Sequence, residues 1–318
     1  MEIFNHNSNV NFLGMRKFSI GIAALLMIAS AVLIATKGLN YGLDFTGGVS
    51  IVMDYQQPVA IADVRAALEK GGIENPVVQS LGGTKEVSIR LQPTAAMLDE
   101  KGKVSLDKAK AVVSAALQAP RPDATMKSRD YVSSQVGDEL RSDGVVAVIV
   151  VIIGIMGYLW IRFERRFAIA AVVTEVHDAL ITVGIFALTQ REFDLTVLAS
   201  VLAVVGYSIN DKVVVFDRIR ELFRLARKAE PEEILNRSIN NTLSRTIITS
   251  TFTAITMAAL YFFGGPVVHG FAITMLIGIL VGTLSSIFVA SPILLWLGVS
   301  KKDLMPQVKG NPELERRP

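Results

Sequence analysis

Residues 195–216 read LTVLASVLAVVGYSINDKVVVF, and the polar trio near the end of this run decides how the chain is read. The run is long enough to cross a bilayer, because about 20 apolar helical residues span a hydrocarbon core of ~30 Å. Asn210, Asp211 and Lys212 nevertheless interrupt it, and Val213, Val214, Val215 and Phe216 still follow. A carboxylate in mid-helix opposes insertion by roughly 2.5–3.5 kcal/mol unless it has a partner or faces a wet cavity. Ser200, Ser208 and Asp211 fall on one helical face, with Tyr207 at its edge. That face is expected to point inward as a polar seam. The plainer reading is a carboxylate that snorkels to the cytoplasmic end, and the apolar residues after Lys212 weigh against it.

Outward from this run, the chain has the composition of a membrane protein. Of its 318 residues 51% are hydrophobic, and the mean hydropathy is +0.45. Five further apolar runs lie at about 18–36, 144–161, 167–188, 247–263 and 271–297. They predict an α-helical integral membrane protein with six transmembrane helices. The first run follows Arg16 and Lys17 and is not followed by a small-residue cleavage pattern, so it is read as an uncleaved anchor. The net charge of +3 needs no nucleic acid to explain it, since membrane proteins collect Lys and Arg in cytoplasmic loops. The chain has no cysteine, hence no disulfide framework or thiol chemistry.

The positive charges fix an orientation. Arg16 and Lys17 precede the first run; Arg162, Arg165 and Arg166 join the second and third; seven Arg and Lys residues from Arg218 to Arg245 lie between the fourth and fifth; and Lys301, Lys302, Lys309, Arg316 and Arg317 follow the sixth. The alternate loops, 189–194 and 264–270, hold one Arg and none. The chain therefore divides into a loose cytoplasmic segment (1–17), helix 1 (18–36), an extracytoplasmic domain (37–142), helices 2–6 (143–297) with a basic cytoplasmic loop at 217–245, and a cytoplasmic tail (298–318). Within that loop, DRIRELFRLARK (217–228) is a basic amphipathic segment whose Ile219, Leu222, Phe223 and Leu225 are expected on the membrane surface. Pro231 opens the helix after it.

The insert reads as α+β. Strands are predicted at 49–55, 77–81, 85–91 and 125–133, and helices at 59–70 and 105–119, with Gly82-Gly83 as a turn and Pro120 as a stop. The order β-α-β-β-α-β is that of a ferredoxin-like domain. It has no His, no Cys and no tight acidic cluster, so no chemistry is sought there.

The membrane runs carry other polar groups. Thr174, Asp178 and Thr182 share a face, with Glu175 near that side; His177 points elsewhere and is either structural, through a hydrogen bond to a neighbour, or functional. Arg245, Thr249, Thr253 and Thr256 form a stripe that is either an anchor with helix–helix hydrogen bonds or a partner for Asp211. Thr274, Gly278, Gly282, Ser286 and Ala290 are four apart, a ridge for close helix packing, and Pro292 kinks or ends the last helix.

Several of these segments resemble motifs of the SecF family of protein-export membrane subunits. They are Gly42-Leu43-Asp44-Phe45-Thr46-Gly47-Gly48, Phe163-Glu164, Val176-His177-Asp178, Gly206 to Asp211 with Asp217 to Arg220, Arg245 to Ser250, and Phe263 to Pro266. The similarity runs in order from about residue 18 to 298, and a chain of this length with one small domain is similar to SecF rather than to SecD or a fused SecDF. The resemblance implies a resistance–nodulation–division fold and a multi-pass subunit of the bacterial inner membrane. It implies SecD, YajC, the SecYEG channel and unfolded secreted proteins as partners, and use of the proton-motive force without covalent catalysis. By the same match Asp211 and Arg245 are the proton-conducting pair, with Asp178 in a second shared motif. The polar side chains of Asn210, Thr249, Glu175 and His177 are read from the sequence as supporting them. Two residues depart from the family pattern: Lys212, where Thr or Ser is expected and which would compete with Arg245 for Asp211, and Glu175, where the family is apolar.

No cofactor or metal is expected, and the absence of Cys, of H-E-x-x-H and of a serine nucleophile elbow argues against an intramembrane hydrolase. The rival functions are a half-transporter for lipids or small molecules and a passive scaffold for the channel, because a fold does not fix its cargo. The topology is directly testable. A single cysteine at Thr84 is expected to react with an impermeant maleimide added from outside; reaction only from the cytoplasmic face would overturn the orientation.

Overall fold

The computed structural model describes residues 10–81, 84–99, 103–118, 121–225 and 230–300. The turn at Gly82-Gly83, the stop at Pro120, residues 1–9, residues 226–229 and the tail from Lys301 lie outside them. Among the described residues six helical stretches are long and apolar enough to cross a membrane. They comprise α1 (Arg16–Lys37), α5 (Ser134–Arg162), α6 (Arg165–Thr189), α7 (Leu195–Leu225), α8 (Pro231–Phe263), and a last span made of α9 (Pro266–Ser285), a π-helical turn (Ser286–Ala290) and α10 (Ser291–Trp296). The π-turn directly precedes Pro292, whose missing N–H removes a helical hydrogen bond and favours such a widening.

The insert lies between α1 and α5. It contains β1 (Asn40–Tyr41), α2 (Leu43–Thr46), β2 (Gly48–Tyr55), α3 (Ile61–Lys70), β3 (Val77–Ser80), β4 (Glu86–Leu91), α4 (Leu106–Gln118) and β5 (Ala124–Val132). Four strands form one sheet in the order β3-β4-β2-β5, every neighbouring pair antiparallel. That is the strand order of the split βαβ pattern. Alternate residues Val49, Ile51, Met53 and Tyr55 of β2 are buried against Val64 and Leu68 of α3 and Ala109 and Val113 of α4. The period of two along the strand meets the period of 3.6 along the helices, and this closes a single apolar layer.

Helix α5 begins at Ser133, whose hydroxyl accepts from the Val136 amide at 3.3 Å, so the helix starts well before its apolar part. The N-terminal segment differs from expectation. Residues 10–15 are tied to α8, where Asn236 Oδ1 accepts from the Phe12 amide (2.9 Å) and Asn240 Oδ1 from the Val10 amide (3.0 Å), and Leu13 is fully buried. The basic stretch after Phe216 also differs. It is no loop on the membrane surface but the continuation of α7, and α8 begins at Pro231. Ile219, Leu222 and Phe223 are buried against Phe163, Phe167, Ile234, Leu235 and Ile239, while Leu225 is exposed. The apolar face of this segment finds a protein partner, the start of α8, that periodicity alone does not identify.

The bundle is sealed by two apolar clusters. At one end the rings of Phe163, Phe167 and Phe216 meet at 5.3–6.1 Å. At the other, Phe45, Phe186, Phe193, Val197 and Val201 pack together. Between the clusters helices approach closely through small residues. A Cβ on Gly278 of α9 would lie 2.1 Å from Val204 Cγ2 of α7, and one on Gly184 of α6 would lie 2.3 Å from Ser30 Oγ of α1. The ridge read at Gly278 and Gly282 thus serves packing against α7. Gly278→Ala is expected to force α7 and α9 apart and to lower stability by about 1–3 kcal/mol, measured as reduced thermal stability of the detergent-solubilised protein.

Candidate functional site

The polar faces of α6 and α7 meet in the middle of the bundle. Thr174, Asp178 and Thr182 are all fully buried, as are Ser200 and Ser208. Lys212, also fully buried, directs its ammonium to three acceptors: Glu175 Oε1 at 2.6 Å, Asp178 Oδ2 at 2.7 Å and Ser208 Oγ at 2.8 Å. These use all three of its N–H donors. Ser208 in turn donates to Asp178 Oδ2 at 2.7 Å. The other Asp178 oxygen lies 2.8 Å from His177 Nδ1, so His177 joins the cluster through a hydrogen bond to its neighbour in sequence. Two carboxylates and one ammonium leave one net negative charge when all are ionised. Among the described residues Glu175 Oε2 and His177 Nε2 have no hydrogen-bond partner.

Asp211 lies one residue away on a different side of α7 and is 4% exposed. Ser250 of α8 donates to its Oδ2 at 3.4 Å, and Ser250 lies 2.7 Å from Thr283 Oγ1 of α9. Among the described residues no cation lies within ion-pair distance of Asp211. Lys212 makes no direct contact with Asp211, and the charges of Lys212 and Arg245 both act on it from longer range. Arg245 is exposed, on the outer side of α8, and the hydroxyls of Thr249, Thr253 and Thr256 return to carbonyls of their own helix at 2.9–3.0 Å. The stripe read from Arg245 is thus the outward one. The inward face of α8 is Ser238, Thr242, Thr246 and Ser250, equally periodic in the sequence and the better clue to the partner of Asp211. Asn210 is exposed as well.

The glycine-rich motif after α1 forms the joint between insert and bundle. Gly47 and Gly48 have φ of 65° and 117°, and a Cβ on Gly48 would lie 2.8 Å from the Leu91 carbonyl oxygen. Only glycine fits both demands. Gly42 precedes the short helix α2, whose Leu43, Asp44 and Phe45 follow in order. Phe45 is buried in the aromatic seal, and Asp44 Oδ2 accepts from the Leu195 amide at the start of α7 (3.0 Å). Strand β1 pairs in parallel with β6 (Glu192–Phe193). Arg90 of β4 clamps this pair, donating to the Tyr41 carbonyl (2.5 Å) and Asn40 Oδ1 (3.2 Å) and facing Glu192 at 3.5 Å. Burial pushes the carboxyls of Glu192 and Asp194 up, and at Glu192 the charge of Arg90 opposes this. At the opposite end two motifs meet directly, with Arg220 donating to Glu164 at 3.1 Å.

A six-span helical bundle with a buried charge cluster and a small α/β domain on the first loop defines a multi-pass membrane protein of the transporter type. The family comparisons specify it further. Residues 112–300 match the family described as "Protein export membrane protein SecD/SecF, C-terminal", and residues 32–59 match the SecD/SecF GG motif. The chain is 43% identical to the protein translocase subunit SecF of Pseudomonas aeruginosa, covering 93% of this chain and 94% of that one. It is 40% identical to SecF of Escherichia coli O157:H7, covering 96% and 94%. The crystal structure of SecDF, a translocon-associated membrane protein from Thermus thermophilus, superimposes with a TM-score of 0.83 at 33% identity, over 93% of this chain and 40% of that longer one. The chain belongs to the SecF branch of the SecD/SecF protein-export family.

Glu175 and Asp178 share one counter-charge, the ammonium of Lys212. Lys212→Thr alone is expected to cost about 3–5 kcal/mol, because it strands Glu175 and Asp178 as neighbouring buried carboxylates. The double variant Lys212→Thr, Glu175→Leu is expected to recover most of that loss in thermal unfolding of the purified protein; no recovery would show that the two residues do not compensate each other.

Proposed function

We propose that this protein is an accessory subunit of bacterial Sec protein export that uses the proton-motive force to promote late translocation through SecYEG, without covalent catalysis. It would do so paired with SecD, together with YajC, on unfolded secreted proteins. In this reading it sits in the inner membrane with both termini cytoplasmic and the insert outside, as the distribution of positive charge suggests.

The observation that carries the proton reading is Asp211. It is a buried carboxylate in mid-span bonded to the hydroxyl of Ser250, which in turn meets Thr283, with no ion-pair partner among the described residues, so gaining or losing a proton changes the charge between α7, α8 and α9. A buried charge change of this kind biases how helices pack. Asp178, Glu175 and His177 form the second station, already neutralised in part by Lys212. Arg245, Asn210 and Thr249 lie toward the outer faces of α7 and α8, where a homologous subunit would complete the path. The two apolar seals would keep ions from leaking along the polar middle.

Asp211→Asn keeps the shape but cannot ionise. It is expected to co-purify with SecD yet to lose export stimulated by an imposed proton gradient, and Arg245→Met is expected to impair the same stimulation. Normal gradient-dependent export by an assembled Asp211→Asn complex would eliminate the mechanism and leave a scaffold role.

A further inference from the structure

The last span ends beside the start of the first. Helix α1 begins at Arg16 and α10 stops at Trp296, and a groove of about 570 Å³ runs between them. Lys17, Gly21 and Ala24 recur every three or four residues and so share the face of α1 that lines it. Pro292, Leu295 and Trp296 form the other wall. The Ser19 hydroxyl donates to the Phe288 carbonyl (2.8 Å), which holds α1 against the π-turn beside the groove.

The groove is polarised along its length. Its mouth carries Arg16 and Lys17, and from Ile20 inward every lining residue is apolar or glycine. Arg16 is neutralised by an ion pair with Glu232 at the start of α8. Lys17 is exposed, has no ion-pair partner among the described residues, and no acidic side chain lines the groove. The mouth therefore keeps one positive charge. Trp296, 84% exposed, stands at the same end, where aromatic rings mark the boundary between hydrocarbon and headgroups. Glycine in a helix interior is unfavourable by about 1 kcal/mol against alanine, yet a Cβ on Gly21 would meet nothing within 4 Å. No contact within the chain requires glycine there; its effect is to deepen the groove.

We propose that this groove holds one anionic phospholipid, its phosphate against Lys17 and an acyl chain along Ile20, Gly21 and Ala24. A cation at the mouth and an apolar floor extending about 10 Å inward, at ~1.5 Å per helical residue, match a headgroup followed by a chain. The surplus charge selects a lipid of net negative charge over a zwitterionic one. The site lies in the leaflet that holds the ends of α1 and α10, and it depends on neither proton movement nor the export reading.

The test uses the full chain in phosphatidylcholine nanodiscs, with Trp160→Phe so that Trp296 is its only tryptophan. Phosphatidylglycerol or phosphatidylcholine brominated on the acyl chains is the quencher. Half-maximal quenching of Trp296 is expected at a ~5-fold lower share of brominated phosphatidylglycerol, as for one basic residue at an anionic headgroup. Lys17→Gln is expected to remove that difference and Lys17→Arg to keep it. Gly21→Leu, for which the chain leaves space, is expected to fold normally and to lose the preference by filling the groove. Glycerol 3-phosphate at millimolar concentration is expected to leave quenching unchanged. In the complex with SecD, native mass spectrometry is expected to show one more phosphatidylglycerol than in the Lys17→Gln complex. Equal quenching by the two lipids overturns the proposal. So does a preference that survives Gly21→Leu, which would mean diffuse attraction to the charge, or reversal by glycerol 3-phosphate, which would mean a free-phosphate site. Equal lipid counts in the two SecD complexes would mean that protein covers the groove, and overturn it as well.

Discussion

The Lys212 ammonium is held between α6 and α7, and the interior of the bundle is arranged around it. An ammonium in hydrocarbon is tolerated only when every donor is satisfied and a counter-charge is close. Here Glu175, Asp178 and Ser208 supply both within 2.8 Å. Meeting that requirement fixes the rotation of two helices at once: α6 must present residues 175 and 178, and α7 must present residues 208 and 212. The same rotation leaves Val204 and Ser208 of α7 facing Gly278 and Gly282 of α9. The polar contact and the small-residue contact therefore specify one packing. A rotation of α7 by one residue would break the ion cluster and drive side chains into α9 together.

The second constraint is at the other end of α7. There the chain passes from helix to sheet and back through the glycine-rich motif, and Asp44, Arg90 and Glu192 tie insert and bundle with charge-assisted hydrogen bonds and an ion pair. The start of α7 is thus held by a residue of the motif, while its middle holds Lys212 and Asp211. One rigid helix therefore joins the buried carboxylates to the insert.

Much of this was legible in the sequence where one physical rule dominates. The six spans follow from apolar length, and the insert's strands and helices follow from alternation and period with ends within a residue or two. The face of Thr174, Asp178 and Thr182 was legible from spacing alone. The faces of α8 were not, because Arg245 to Thr256 and Ser238 to Ser250 have the same period, and only the neighbour decides which turns inward. The segment after Phe216 failed for a related reason. An amphipathic helix shows that an apolar face needs cover, and whether membrane or protein provides it depends on where α8 begins. The joint was out of reach, since two-residue strands leave no pattern to read.

Glu175 and Lys212 show how buried charges on neighbouring helices are accommodated. A carboxylate alone at 175 would crowd Asp178 with no counter-charge. With Lys212 directed to both carboxylates, Asp211 is left with the hydroxyl of Ser250 as its side-chain partner. The direction in which Lys212 points is therefore the deciding feature. Because its donors are taken by Glu175 and Asp178 of α6 and by Ser208 of α7, the helix pair α7–α8 keeps a carboxylate with no ion-pair partner on one side and, in Arg245, an outward-facing cation on the other. Such a half-finished electrostatic arrangement is what a subunit presents when its counterpart lies in another chain.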